Sequence, residues 1–134
     1  MTDIQTFQVR TSRREELVNI TRQVREAIGA SGATGGVAYV YCPHTTGAIT
    51  IQEAADPDVA RDIDAMLTRL VPLRGDYRHA EGNSDAHIKS ALVGSSQVLF
   101  VADGQPVLGT WQGVFFCEFD GPRTRKVMVK VLEG

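Results

Sequence analysis

The sequence predicts an α+β domain, mainly antiparallel β-sheet packed with about three helices. Three observations carry that expectation. Several short stretches alternate apolar and polar residues with the two-residue period of a half-buried strand. Others repeat apolar residues at helical spacing behind capping residues. Most connections between strands are short turns rather than helical crossovers, so antiparallel pairing is expected.

Gln5 to Thr11 reads as the first strand, Phe7 and Val9 alternating with Gln8 and Arg10. Ser12-Arg13-Arg14-Glu15 has the pattern of a capping box. Leu17, Ile20, Val24, Ala27 and Ile28 continue it at helical spacing, and Gly29 or Gly32 closes the helix. Val37 to Cys42 is β-branched and aromatic, a strand that Pro43 stops. His44-Thr45-Thr46-Gly47 follows as a turn, and Ala48 to Gln52 as another strand. Asp56-Pro57 starts the second helix, with Asp as N-cap and Pro where its missing N–H costs nothing. Val59, Ile63, Met66, Leu67 and Leu70 make its apolar stripe.

Arg74 to Asn83 is polar and reads as a loop carrying His79. Ser84 is expected to cap a short third helix, with Ile88, Ala91 and Leu92 inward and Gly94 as its stop. Three strands close the chain: Gln97 to Val101, Leu108 to Phe119 and Arg125 to Leu132. Asp103-Gly104 and Asp120-Gly121-Pro122 are the turns between them. In the last strand Val127, Val129 and Val131 share one face.

The chain has 134 residues, 43% of them hydrophobic and 22% charged. That is the size of one domain, residues 1–134, without linker, repeat or low-complexity segment. A formal charge of −2 excludes a nucleic-acid binder working by bulk positive charge and a polybasic membrane anchor. No run approaches the ~18 apolar residues of a membrane span. The polar stretch Met1 to Gln5 is unlike a secretory signal. Two cysteines, Cys42 and Cys117, are too few for a disulfide framework. A cytoplasmic enzyme or ligand-binding domain fits these features.

The three histidines, His44, His79 and His87, each fall at an element edge, where binding groups concentrate. They are either separate surface residues or three ligands converging on one metal with an open position. His87, on the first turn of a helix, is expected to favour its neutral form. The same helix end offers N–H groups to a phosphate, unless Ser84 and Asp85 cap them. Thr45, Thr46 and Gly47 put hydroxyls and a flexible backbone beside His44, an arrangement that suits an anion or a plain turn. Asp56 is most simply a cap. Glu53 is freer, to orient a histidine or act as acid or base. Trp111, between Gly109 and Gly113, either fills the core, the better expectation, or covers a site. Cys117 reads as a buried hydrophobe, and Glu118 among aromatics needs a partner.

In series these segments identify a resemblance. His44-Thr45-Thr46-Gly47, Glu53-Ala54-Ala55-Asp56-Pro57, Tyr77-Arg78-His79, Asn83-Ser84-Asp85-Ala86-His87-Ile88-Lys89, Leu108-Gly109-Thr110-Trp111-Gln112-Gly113 and Cys117-Glu118 together resemble the YjbQ-like family. Its members are described as secondary thiamine-phosphate synthases. The resemblance spans nearly the whole chain, with Gln52 standing where many members have Asn. It implies a single α+β domain, usually a homotrimer, with His44, His79 and His87 as metal ligands. It also implies the joining of a pyrimidine diphosphate to a thiazole phosphate with loss of pyrophosphate. The expected metal is Zn²⁺ or another transition ion from the histidines, or Mg²⁺ from the diphosphate chemistry. The expected partner is a small phosphorylated ligand, bound or transformed. The candidate site is then Glu53, His87 and Glu118 for acid–base work, with Thr45, Thr46, Gly47, Asn83, Ser84, Lys89 and Trp111 for substrate.

Overall fold

The computed structural model describes residues 3–134; Met1 and Thr2, part of the polar N-terminal stretch, lie outside the described residues. The elements run β1 (Gln5–Arg10), β2 (Glu16–Asn19), α1 (Thr21–Ser31), β3 (Gly35–Tyr41), β4 (Gly47–Glu53), α2 (Pro57–Leu70), α3 (Ser84–Val93), β5 (Ser96–Ala102), β6 (Gln105–Pro106), β7 (Gln112–Glu118) and β8 (Thr124–Glu133). They form a five-stranded sheet, β1-β8-β3-β5-β6, and a three-stranded sheet, β2-β7-β4. Every pairing is antiparallel. The expected α+β class with three helices is what the chain adopts. No helix of the described residues is long and apolar enough to cross a membrane.

The main core lies between the sheets. Val127, Val129 and Val131 of β8 and Ala38 and Val40 of β3 meet Val24, Ala27 and Ile28 of α1, with Ile49, Val114 and Phe116 from the smaller sheet. A second cluster forms on the other face of that sheet, where Ala48, Cys117 and Phe119 pack with Ala86, Leu67 and Val93. Both cysteines are free and buried, and burial pushes both thiols up. The Asp103-Gly104 turn is as expected: both residues have positive φ, 53° and 74°, the geometry of a two-residue hairpin. Gly32, at φ 75°, ends α1 in the left-handed cap that glycine favours. Asp56 caps α2, accepting from the Asp58 N–H at 2.9 Å.

Three elements depart from expectation. The segment after Ser12 does not begin a helix. Ser12 donates its N–H and hydroxyl to Glu16 rather than Glu15. Glu16 to Asn19 then form β2 on the edge of β7, Leu17 opposite Cys117 and Val18 opposite Phe116. An open strand edge offers that backbone better hydrogen bonding than a helical turn would. The helix starts only at Thr21, whose N–H donates to Asn19 Oδ1 at 3.0 Å.

Helix α3 is turned over. Its buried residues are Asp85, Ala86, Lys89 and Ser90. Ile88 and Leu92, expected inward, are exposed, Leu92 by 63%. Pairing of Lys89 with Asp85 and Glu15 decides the face, and Ser90 adds a 2.6 Å bond to the Gly47 carbonyl. The expected strand Leu108 to Phe119 also shortens. Gly109 donates to Gln112 Oε1, the Gln112 N–H returns to the Gly109 carbonyl, and the resulting turn delays β7 to Gln112.

Candidate functional site

Residues 42–46 cross from β3 to β4, and the start of β8 clamps them. The Lys126 N–H donates to His44 Nε2 at 2.9 Å. Arg125 donates to the Thr46 carbonyl at 3.3 Å and to Thr46 Oγ1 at 2.9 Å. Phe119 N–H adds a bond to the same carbonyl at 3.2 Å. Arg125 itself is paired with Glu118, both fully buried. Glu118 also accepts from Thr11 at 2.8 Å and from the Asp120 N–H at 3.0 Å. Burial opposes ionisation of Glu118, but the Arg125 guanidinium and these donors outweigh it and hold its pKa below the usual range. The expected acid–base role of Glu118 is therefore replaced by a structural one, since its oxygens are engaged. Burial, reinforced by Arg125, lowers the pKa of His44, so the ring stands neutral.

Gly47 also serves packing rather than ligand contact. It sits in the β4–β7 ladder opposite Glu118. A Cβ there would meet Phe116 Cζ at 2.6 Å. Thr46 turns its hydroxyl to Arg125, which leaves Thr45 as the exposed hydroxyl of the turn.

Asn83, not Ser84, is the N-cap of α3, and no side chain caps the helix. Its first N–H groups therefore keep the anion-binding capacity expected of them. Asn83 Nδ2 donates to Asp120 at 2.8 Å. Asn83 Oδ1 is buried without a partner among the described residues. Asp85 makes a two-pronged ion pair with Arg14, at 3.1 and 3.2 Å. Burial of Asp85 is again outweighed, here by Arg14 and Lys89, and its pKa falls. Lys89, expected at the substrate, is 1% exposed and its ammonium is held by Glu15 and Asp85. It anchors α3.

His87 is the side chain on which the site turns. It lines a cleft of about 550 Å³ with His44, Thr45, Tyr41, Ser90 and Ser95. It also lines a second hollow of about 450 Å³ with His79, Ser84 and Arg78. The His79 and His87 rings stand edge to face, centroids 5.4 Å apart. Glu53 is elsewhere. It ends the seven-residue β4 that begins at Gly47, so roughly 20 Å of strand separates the two. Glu53 lines a third pocket, of about 370 Å³, with Arg13, Glu16, Asp56, Arg61 and Asp64. Trp111 neighbours that end, its carbonyl accepting from Ala54. The core expectation for Trp111 fails, for its side chain is 64% exposed.

The three-histidine metal centre that the resemblance implies does not fit one chain. Among the described residues no group of three or more His, Cys, Asp or Glu is gathered closely enough to hold an ion. His79 and His87 are the pair that would hold one. Among the residues that fix the site's walls, Arg14, Glu15 and Asp85 read from sequence only as parts of helix caps, and Arg125 carries no site role there. For Arg125 the signal was present: it shares the parity of Val127, Val129 and Val131, so its side chain faces inward.

Fold and site define a single-domain α+β protein with a histidine-lined cleft between the β3–β4 turn and helix α3. The chain belongs to the UPF0047 protein YjbQ-like family, whose model matches residues 5–134. It is 54% identical over 126 residues to a UPF0047 protein of Methanocaldococcus jannaschii, covering 94% of this chain and 91% of that one. It is 48% identical over 130 residues to UPF0047 protein YugU of Bacillus subtilis, covering 96% and 98%. A crystal structure of a YjbQ/UPF0047 family protein from Clostridium acetobutylicum superposes with a TM-score of 0.93 at 52% identity, covering 96% of this chain and 99% of that one. A YjbQ-like protein from Sulfolobus solfataricus superposes at 0.94 with 30% identity, covering 100% and 99%.

Proposed function

We propose that the histidine cleft binds a small phosphorylated substrate and acts on it as an enzyme. The observation that carries this is the convergence of His44, His87 and Thr45 on one cleft, with His87 also lining the neighbouring hollow at the uncapped start of α3. An uncapped helix start attracts phosphate, and imidazole is the side chain best suited to exchange a proton with a bound substrate. The specific reaction favoured by the family resemblance is thiamine-phosphate formation from a pyrimidine diphosphate and a thiazole phosphate. His87, between the two hollows, is then the group placed to exchange a proton with the substrate. A divalent metal, Zn²⁺, another transition ion or Mg²⁺, would be held by His79 and His87 in the hollow that Asp76 also lines, and would neutralise diphosphate charge there.

Incubation with the two phosphorylated substrates, with and without added divalent metal, tests this by following pyrophosphate release. Release that falls at least tenfold in His87→Ala supports the enzyme. Thermal stabilisation by phosphorylated metabolites without turnover would favour the second reading, an oligomeric binding module. We also propose assembly as a homotrimer in the cytoplasm. Supporting it, the outer face of the large sheet exposes Tyr39, Tyr41, Val98, Leu132 and Phe100, the last by 69%. Patches of that kind mark association surfaces, and light scattering gives the assembled mass.

A further inference from the structure

We infer that His44 meets the ligand as an Nδ1–H hydrogen-bond donor to an oxyanion and is not a metal ligand. The inference rests on the proposed phosphorylated ligand only for the identity of what the donor meets. Its core is the 2.9 Å bond from the Lys126 N–H to His44 Nε2. A main-chain N–H can only donate, so Nε2 must present its lone pair. A neutral imidazole with a bare Nε2 carries its proton on Nδ1. Both nitrogens are thereby committed. Coordination through Nδ1 would move the proton to Nε2 and set two N–H groups head to head. Coordination through Nε2 would require Lys126 to leave.

Two further observations agree. First, Asn83 Oδ1 is the only buried side-chain polar atom without a partner among the described residues. His44 Nδ1 has no protein partner there either, so it is open to solvent. Second, the cleft His44 shares with His87 has no carboxylate in its walls; hydroxyls of Tyr41, Thr45, Ser90 and Ser95 accompany the rings. Divalent cations are seldom held without an anionic ligand unless several imidazoles converge, and here they do not. The residue pair of Arg125 and Lys126 at the start of β8 thus sets both the position and the tautomer of the turn.

Long-range ¹H–¹⁵N correlation spectra of the histidine-labelled wild-type protein read the tautomer directly. We expect His44 in the Nδ1–H form throughout. Added Zn²⁺ should move His79 and His87 and leave His44 in place, and added inorganic phosphate should move the His44 Nδ1 signal. His44→Ala should weaken phosphate binding about tenfold. His44→Asn, whose amide nitrogen overlies Nδ1, should recover part of it. An Nε2–H tautomer, or a His44 that loses its Nδ1 proton on addition of Zn²⁺, overturns the inference. The expected tautomer with no histidine responding to phosphate would instead sink the phosphorylated-ligand proposal and leave His44 a donor without a metal.

Discussion

The two ends of β4 carry opposite chemistry. At the Gly47 end the cleft wall holds imidazoles and hydroxyls but no carboxylate, over a buried Glu118–Arg125 pair. At the Glu53 end the pocket holds Glu16, Glu53, Asp56 and Asp64 with two arginines. One end is rigid because every charge beneath it is paired in the interior. The other is held by surface ion pairs such as Arg61–Asp58, 3.3 Å apart and largely exposed. The same charge types therefore organise a site at one end and contribute little to structure at the other, because burial sets how strongly a charge acts.

The largest effect that separates the two ends is expected from arginine truncation. Arg125→Ala leaves Glu118 buried and unpaired and should cost about 3–5 kcal/mol. Arg61→Ala removes an exposed pair and should cost about 0.5 kcal/mol or less. Urea denaturation of both variants measures the difference; comparable costs would erase the distinction. Gly47→Ala should follow. Its Cβ would press on the immobile Phe116 ring, for about 1–3 kcal/mol by the same measurement. Glu53→Gln, at the other end, should stay within about 0.5 kcal/mol.

The smallest effect is in pH. Glu118 and Asp85 have native pKa values below their unfolded ones. Each stabilises the fold fully above its unfolded pKa, near 4.5 for Glu118 and 3.8 for Asp85. That contribution is lost as pH falls through the depressed native values. Asp64 runs the other way: burial and the nearby Glu15 raise its pKa, so its protonation on acidification relieves the fold. Stability measured from pH 7 downward should therefore begin to fall below about 4.5, and Asp64→Asn should be neutral to slightly stabilising at pH 7. A wild type whose stability rises through that acidic range would show the buried pairs to be unimportant.

Much of this molecule is legible residue by residue. Asp56-Pro57, Gly32 and Asp103-Gly104 each act within two or three positions, so local backbone chemistry settles them. The parity of Val127, Val129 and Val131 in β8 is equally direct. Ser12 to Asn19 is not legible in this way, because a capping pattern competes with a strand edge contributed from about a hundred residues downstream. The role of Lys89 is not local either, because it is set by Glu15, 74 residues earlier in the chain.

The sequence by itself determined the α+β class, nearly all the elements, the family, and the three histidines at element edges. Those follow from periodicity, caps and turns, which are local. Only the tertiary structure decided which face of α3 is buried, that Glu118 is spent on Arg125, and that Glu53 lies a strand's length from His44. It alone places the Lys126 amide against His44 Nε2. These depend on charges and donors brought together across the chain, and pairing energies in a buried setting override the apolar pattern that a sequence displays.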